Sequence, residues 1–201
     1  MSGGDLSTGN RSAALIGLES TGQAQAGIGN HCDALFTRPR SNSTVPIAYF
    51  TDYRCVYCRQ IGPMLERLGQ NAQIAVTFHE LPLLGPSSVQ SARAALAARQ
   101  QGAYDVFHKR LMGTPFLPNA AYLRQLAQDT GLDPDQLITD MDHPKIDRQL
   151  RQTAALAKLF GFYGTPALVV GRTAVLGNIS QRKLKRLIAH EASEIDTLIC
   201  R

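Results

Sequence analysis

Two cysteines three positions apart, Cys55 and Cys58, are the residues of this 201-residue sequence best suited to chemistry. Apolar residues follow them at helical spacing, so the pair opens an amphipathic helix; they are Ile61, Met64, Leu65 and Leu68. At a helix N-terminus, free backbone N–H groups and the positive end of the dipole stabilise a thiolate, the form that attacks a disulfide. We therefore predict a redox pair in which Cys55 is the nucleophile and Cys58, one turn into the helix, is the resolving thiol.

A Cys-x-x-Cys run has two other interpretations, half of a metal site and an unreactive disulfide. The sequence holds no second Cys-x-x-Cys run and no paired Cys/His run, so a zinc ribbon would lack half of its ligands. Arg54 and Arg59 flank the pair and would lower the pKa of Cys55 further if they point toward its sulfur. The sequence around the pair therefore favours disulfide exchange over metal binding.

The pair must be positioned by the elements around it. Val45–Phe50 is an unbroken apolar run typical of a strand covered on both faces, and the alternation over residues 74–79 predicts a second strand. The order strand, helix, strand predicts a parallel pair with a right-handed crossover. Strand signals return at 167–176 around Gly171-Arg172, where glycine at the first central position fits a type II′ hairpin.

From residue 87 to about 160 the sequence carries helical signals alone, which predicts an inserted block of five helices. Residues suited to begin helices in this block and after it are Ser87 and Ser88, Asn119, Asp133 before Pro134, Pro144, and Ser180. Residues 1–31 are rich in Gly, Ser, Ala and Gln, which predicts a flexible arm. The predicted order is therefore β-α-β, a helical block, and β-β-α.

The run Phe50–Arg59, with the sequence FTDYRCVYCR, resembles the Phe-x-Asp-Tyr-x-Cys-x-Tyr-Cys-Lys/Arg signature of the DsbA-like periplasmic disulfide oxidoreductases. Pro63, five residues after the second cysteine, is also found in thioredoxins. Glu80–Ser87, ahead of an Ala-rich helix, is similar to the same family's exit from its second strand. Gly164–Ala167 matches the loop that holds a cis-proline beside the active disulfide. The resemblance covers about residues 33–190 and is greatest to the DsbA/Com1/ScsC-like branch.

The resemblance implies an α/β protein of thioredoxin-like fold with an inserted all-helical domain. The thioredoxin-like domain would comprise residues 32–86 and 161–201, the helical insertion 87–160, and the N-terminal arm 1–31. The implied enzyme exchanges disulfides with cysteine-containing protein substrates, as an oxidase or an isomerase. It uses its redox-active disulfide and no other cofactor or metal, and a membrane redox partner reoxidises or reduces the pair. The scattered basic residues and the net charge of +5 indicate no nucleic-acid partner.

Thr165, Pro166 and Tyr57 are the implied substrate-binding residues. A proline at the start of a strand also occurs as simple punctuation, without any role in binding. A cis Thr165–Pro166 bond would instead turn the backbone of Thr165 toward the sulfurs, where an extended substrate chain can pair with it in β fashion. We therefore predict a cis bond close to Cys55.

The sequence departs from the family at two positions. Val56 stands where many relatives have proline, and Tyr49 stands where an acidic residue is common, six positions before the first cysteine. Glu80 on the neighbouring strand is a possible proton acceptor in its place, with a capping or salt-bridged glutamate as the alternative. These departures leave the redox direction, oxidation or isomerisation, open.

Two cysteines, Cys32 and Cys200, belong to no motif. A structural disulfide between the entry segment and the last helix is the favoured interpretation, and it would close a very long loop. Two buried free thiols, or a bridge between molecules, are the alternatives. His79 and His108 are expected to be packing or capping residues.

No apolar run approaches the length of about 20 residues that a membrane span requires. The first residues lack the pattern of a signal peptide, which fits either a cytoplasmic protein or a mature chain whose signal peptide has been removed. The family resemblance favours the second case and the periplasm. The oligomeric state stays open.

Two other classes of function share this kind of fold or site. Glutathione transferase kappa-like enzymes generally use a lone Ser or Cys, which the intact Cys-x-x-Cys pair of this sequence opposes. A copper- or metal-handling protein is the alternative from the binding class, because a reduced Cys-x-x-Cys pair can hold Cu(I).

Overall fold

The computed structural model describes residues 31–37 and 44–194, which form eight helices and four strands. In chain order they are α1 (His31–Leu35), β1 (Val45–Thr51), α2 (Val56–Leu68), β2 (Ile74–Glu80), α3 (Pro86–Gln100), α4 (Tyr104–Met112), α5 (Ala120–Asp129), α6 (Pro134–Asp140), α7 (Pro144–Leu159), β3 (Ala167–Val170), β4 (Thr173–Leu176) and α8 (Gln181–Ser193). The predicted arm lies outside these residues, apart from its last one. None of the described helices is both long enough and apolar enough to cross a bilayer.

The four strands form one mixed sheet in the order β2-β1-β3-β4. β1 pairs in parallel with β2 and antiparallel with β3, and β3 and β4 form an antiparallel hairpin. The predicted parallel pair and hairpin are both confirmed. Because β1 lies between two strands and under helices on both faces, all seven of its residues are buried, which explains its unbroken apolar run.

Successive side chains of β1 enter two separate apolar layers, as the two-residue period of a strand requires. Ile47 and Tyr49 belong to the layer that includes residues of α2, α3, α4 and α8. Ala48 and Phe50 belong to the layer that includes residues of α1 and α7. The strand that leads to the cysteine pair is therefore fixed from both sides.

Five helices, α3 to α7, lie between β2 and β3, as predicted. Asn119, Asp133 and Ser180 each accept a backbone N–H at the start of a helix, so these three caps are confirmed. The predicted cap at Ser87 or Ser88 is wrong. α3 begins at Pro86, after Gly85, because the Ser88 hydroxyl donates to the Asp52 carboxylate instead.

His79 is a packing residue, as expected. Its ring stacks on Phe50, and its Nε2 lies 2.8 Å from the carbonyl oxygen of Leu35. Burial lowers the pKa of His79 to about 4, so the ring is neutral near pH 7 and Nε2–H donates to that carbonyl. The contact ties the end of α1 to β2.

The β3–β4 hairpin carries the strand that follows Pro166. Its turn begins at Gly171, with φ of +55°, and no non-glycine residue among those described has a positive φ, which fits the predicted type II′ turn. The buried carboxylate of Glu191 in α8 accepts from the backbone N–H of Arg172 (3.0 Å) and from the Thr173 hydroxyl (2.6 Å). The last helix thereby holds the hairpin.

We expect Gly171→Ala to lower the free energy of unfolding more than Gly102→Ala. Both glycines have positive φ, a conformation that costs other residues about 1–2 kcal/mol. A Cβ on Gly102 meets open space, whereas one on Gly171 overlaps the Glu191 carboxylate. Urea denaturation of the two variants measures the difference. Equal losses would show that Glu191 does not restrict the turn.

Candidate active site

Cys55 is the N-cap of α2, and Cys58 lies in its first turn. The backbone N–H of Cys58 donates to the Cys55 sulfur at 3.1 Å, and the backbone N–H of Cys55 donates to the carbonyl of Asp52 at 3.1 Å. Cys55 is 5% exposed and Cys58 is fully buried, and both are free thiols. The predicted position of the pair at a helix N-terminus is therefore confirmed.

The two thiols differ in acidity. Hydrogen bonding from the Cys58 side chain lowers the pKa of Cys55 to about 6, with further contributions from the Thr165 side chain and the Cys58 N–H, against the effect of burial. Burial raises the pKa of Cys58 far above its ordinary value, and its hydrogen bond to Cys55 adds to this. At neutral pH the pair therefore holds one thiolate, on Cys55, and one thiol, on Cys58.

The guanidinium groups of the two flanking arginines bind carbonyl oxygens instead of the sulfur. Nη1 of Arg54 donates to the carbonyl of Leu84 at 2.8 Å. Arg59 donates through Nε and Nη2 to the carbonyl of Tyr53 and through Nη1 to that of Thr114. Arg54 and Arg59 were expected to lower the pKa of Cys55 only if they pointed toward its sulfur, and they do not. They hold together the loops around the pair.

Asp52 anchors the loop before the pair, a role that the sequence analysis did not assign. Its buried carboxylate accepts four hydrogen bonds of 2.7–3.0 Å. The donors are the backbone N–H groups of Arg54, Leu83 and Leu84 and the hydroxyl of Ser88. The sequence does contain a signal for this role, because Asp52 directly follows an apolar strand. A charge buried there without partners would be too costly, so partners had to be expected.

The peptide bond between Thr165 and Pro166 is cis, as predicted. The carbonyl oxygen of Thr165 lies 3.3 Å from the Cys55 sulfur, so the predicted proximity is confirmed as well. Thr165 is half-buried, whereas Tyr57, in the first turn of α2, is 53% exposed. Of these three residues, Thr165 borders the Cys55 sulfur directly, and the role of all three in substrate binding stays a prediction.

Tyr49 stands where many relatives have an acidic residue, and Glu80 is the residue considered as proton acceptor in its place. Tyr49 is fully buried, and its hydroxyl donates to the carbonyl of Cys58 at 3.2 Å and accepts from the Thr51 hydroxyl. Burial raises its pKa far above the usual range, so it stays a neutral phenol. The Glu80 carboxylate accepts from the hydroxyls of Tyr53 and Tyr104, and a role as proton acceptor stays a prediction.

Cys32, at the start of α1, is disulfide-bonded. Cys200 lies outside the described residues. The pairing of Cys32 with Cys200 stays a prediction.

A family model for the DSBA-like thioredoxin domain matches residues 46–189, which include the strand before the pair, the pair itself, the helical block and the cis-proline loop. The chain belongs to the DSBA-like thioredoxin family. Its fold is thus the predicted α/β thioredoxin-like fold, with helices α3 to α7 inserted between β2 and β3.

Three solved structures of the same fold are similar to this chain. A thioredoxin-like oxidoreductase from Silicibacter pomeroyi DSS-3 is 36% identical with a TM-score of 0.73, over 80% of this chain and 97% of that one. The catalytic domain of Proteus mirabilis ScsC is 25% identical (TM-score 0.72; 85% and 98% covered). A periplasmic thioredoxin-like protein from Salmonella enterica serovar Typhimurium is 28% identical (TM-score 0.70; 81% and 96% covered).

Curated relatives are longer than the matched segment. The chain is 27% identical over 168 residues to the Na(+)/H(+) antiporter NhaA 3 of Salinispora tropica, and the match spans 26% of that protein. A second match, at 23% identity, spans 61% of an uncharacterized protein of Haemophilus influenzae. The match to the antiporter is therefore a match to one part of a larger protein.

We expect the alkylation of Cys55 by iodoacetamide to follow a titration curve with a midpoint near pH 6. The reason is that the thiolate reacts and the thiol does not. Thiolate absorbance near 240 nm measures the same titration, and Cys55→Ser provides the control that removes it. A midpoint near 8.5, the ordinary value of a cysteine, would contradict the proposed stabilisation.

Thr165→Val should raise the pKa of Cys55, because the Thr165 side chain lowers this pKa by hydrogen bonding and valine keeps the side-chain shape without a hydroxyl. Thr165→Ser retains a hydroxyl and is the matched control, with a midpoint close to that of the wild type. The alkylation curve of each variant measures the effect. An unchanged curve for Thr165→Val would show that the Thr165 hydroxyl does not stabilise the thiolate.

Proposed function

We propose that this protein exchanges disulfides with cysteine-containing proteins through Cys55 and Cys58. The observation that carries the proposal is the asymmetric pair, in which the N-cap sulfur of Cys55 accepts the Cys58 N–H and has a pKa of about 6 beside a buried thiol. A thiolate that persists at neutral pH and a neighbouring thiol able to displace it are the two groups that reversible exchange requires.

In the oxidising direction, a substrate thiolate attacks the Cys55 sulfur of the Cys55–Cys58 disulfide. A mixed disulfide forms at Cys55, and Cys58 leaves with the electron pair and takes up a proton, since burial disfavours its thiolate. A second substrate thiolate then attacks the substrate sulfur of the mixed disulfide. The substrate leaves with a disulfide, and Cys55 leaves as the stabilised thiolate.

The low pKa of Cys55 supports work as an oxidase or an isomerase. It stabilises the reduced form of the pair at neutral pH, and a stabilised reduced form makes the disulfide form more oxidising. Isomerisation begins with the reverse of the last step of oxidation, in which the Cys55 thiolate attacks an incorrect substrate disulfide, forms a mixed disulfide and releases a substrate thiolate. The resolving thiol then comes from the substrate and not from Cys58.

Substrate binding is proposed for Thr165, Pro166 and Tyr57. The backbone of Thr165 borders the Cys55 sulfur, where an extended chain can pair with it. Apolar side chains near this edge are exposed to solvent: Val56 and Tyr57 in the first turn of α2, and Tyr163 two residues before Thr165. An exposed apolar patch of this kind suits unfolded substrates, which present apolar side chains to it.

We propose the periplasm as the site of action. The similar Salmonella protein is periplasmic, and disulfides persist in that compartment. A catalytic pair that has oxidised or reduced a substrate must be restored, so a membrane redox partner is proposed with it.

We expect wild-type protein to reduce insulin with dithiothreitol and to reactivate scrambled ribonuclease. Cys55→Ser should abolish both activities, since no thiolate remains to attack. Cys58→Ser should accumulate mixed disulfides that survive non-reducing electrophoresis, because the resolving thiol is absent. Wild-type protein with two titratable thiols and no activity in either assay would refute the proposed function.

A further inference from the structure

Four buried side chains meet behind the loop that carries Cys55: Tyr53, Glu80, Tyr104 and His108, hereafter the Glu80 cluster. Glu80 Oε1 lies 2.5 Å from the Tyr104 hydroxyl and 2.9 Å from the Tyr53 hydroxyl. His108 Nδ1 lies 2.6 Å from the Tyr53 hydroxyl and 3.5 Å from Glu80 Oε1. The cluster joins the end of β2, helix α4 and the loop before α2.

The contacts fix the direction of the hydrogen bonds. Burial and the charge of Glu80 raise the pKa of Tyr53 and of Tyr104, so both stay phenols and each has one proton to donate. Both hydroxyls donate to Oε1 of Glu80. The N–H at Nδ1 of His108 then faces two hydroxyl oxygens, that of Tyr53 at 2.6 Å and that of Tyr104 at 3.1 Å, and Tyr53 is the nearer acceptor. The Arg99 guanidinium, 3.9 Å above the Tyr104 ring, places a positive charge beside the cluster.

Tyr53 is held by its backbone as well as by its side chain. Its carbonyl accepts from Nε and Nη2 of Arg59, whose Nη1 binds the carbonyl of Thr114 just after α4. Helix α4 is therefore fastened to the Cys55 loop at two points, and Tyr53 takes part in both. Tyr53 precedes Cys55 by two residues.

The cluster is not arranged for stability alone. Glu80 Oε2 and His108 Nε2 are the two buried side-chain N or O atoms in the described part of the chain that have no hydrogen-bond partner. A buried polar atom without a partner loses its hydration and gains no hydrogen bond in exchange, which is costly. Both atoms belong to this cluster, whereas the four bonds of Asp52 satisfy its carboxylate. A site that keeps such costs next to the nucleophile points to a functional role.

We infer that Glu80 is a positioning residue that acts through Tyr53, holding the Cys55 loop so that the Cys55 sulfur stays within reach of the Cys58 N–H and beside Thr165. The inference rests on the proposed role of Cys55 as nucleophile. It differs from a proton acceptor at Glu80, because the carboxylate bonds to the phenols of Tyr53 and Tyr104 and reaches the sulfur through the loop alone.

Tyr53→Phe and Tyr104→Phe form the test. Each removes one hydroxyl from Glu80 Oε1 and keeps the aromatic ring, but only Tyr53 belongs to the Cys55 loop. We expect Tyr53→Phe to move the midpoint of Cys55 alkylation from about 6 toward 7, which lowers the rate at pH 6 about fivefold. Tyr104→Phe should leave the midpoint unchanged. Equal midpoints for both variants, shifted or not, would overturn the inference.

Glu80→Gln separates positioning from proton transfer. Its amide oxygen still accepts from both phenols, so positioning predicts an alkylation curve like that of the wild type and an unchanged rate of release from a mixed disulfide. Slow release with an unchanged curve would assign proton transfer to Glu80 and overturn the inference. Circular dichroism and urea denaturation establish that each variant is folded. Should Tyr53→Phe not fold, His108→Phe, which removes the N–H donor to Tyr53 and keeps an aromatic ring, is expected to give the same shifted midpoint.

Alkylation needs no protein substrate, so the two proposals fail separately. A wild-type protein that titrates near pH 6 but acts on neither insulin nor ribonuclease contradicts the proposed function alone. Active protein whose Tyr53 and Tyr104 variants share one alkylation curve contradicts the positioning role alone.

Discussion

The Cys55 sulfur can carry a charge only where hydrogen-bond donors replace the water that burial removes. The cap position of α2 supplies the Cys58 N–H at 3.1 Å, and the neighbouring thiol and the Thr165 side chain supply further hydrogen bonds. The donors come from two distant parts of the chain, the first turn of α2 and the cis-proline loop. The central strand β1, the loop before α2 and the cis-proline loop must therefore be placed together before the thiolate is stable.

Two buried carboxylates hold that arrangement in different ways. Asp52 accepts four hydrogen bonds from its own loop, the segment after β2 and the start of α3, so both of its carboxylate oxygens have partners. Glu80 faces two phenols and an imidazole and leaves one oxygen without a partner. The first works as a structural anchor. The second connects the helical block to the loop of the nucleophile.

The local signals in the sequence were sufficient for most of the elements. A period of two marked β2, an unbroken apolar run marked β1, and Asn119, Asp133 and Ser180 marked three helix starts, because each of these patterns depends on neighbours within a few residues. The predicted start of α3 was wrong because it depends on a residue far away in the sequence. Ser88 bonds to Asp52, 36 positions away, and such a partner has no local signature.

By itself, the sequence determined the redox pair, its place between a buried strand and a helix, and the cis-proline loop that accompanies it. The pair and its place follow from residue type and spacing along the chain, and the cis-proline loop follows from the family resemblance of Gly164–Ala167. The tertiary structure alone decided that the arginines face carbonyls, that Tyr49 is a neutral phenol against Cys58, and that Glu80 meets His108. The reason is physical: the charge state and partners of a buried polar group depend on every element packed around it, and those elements are distant in sequence.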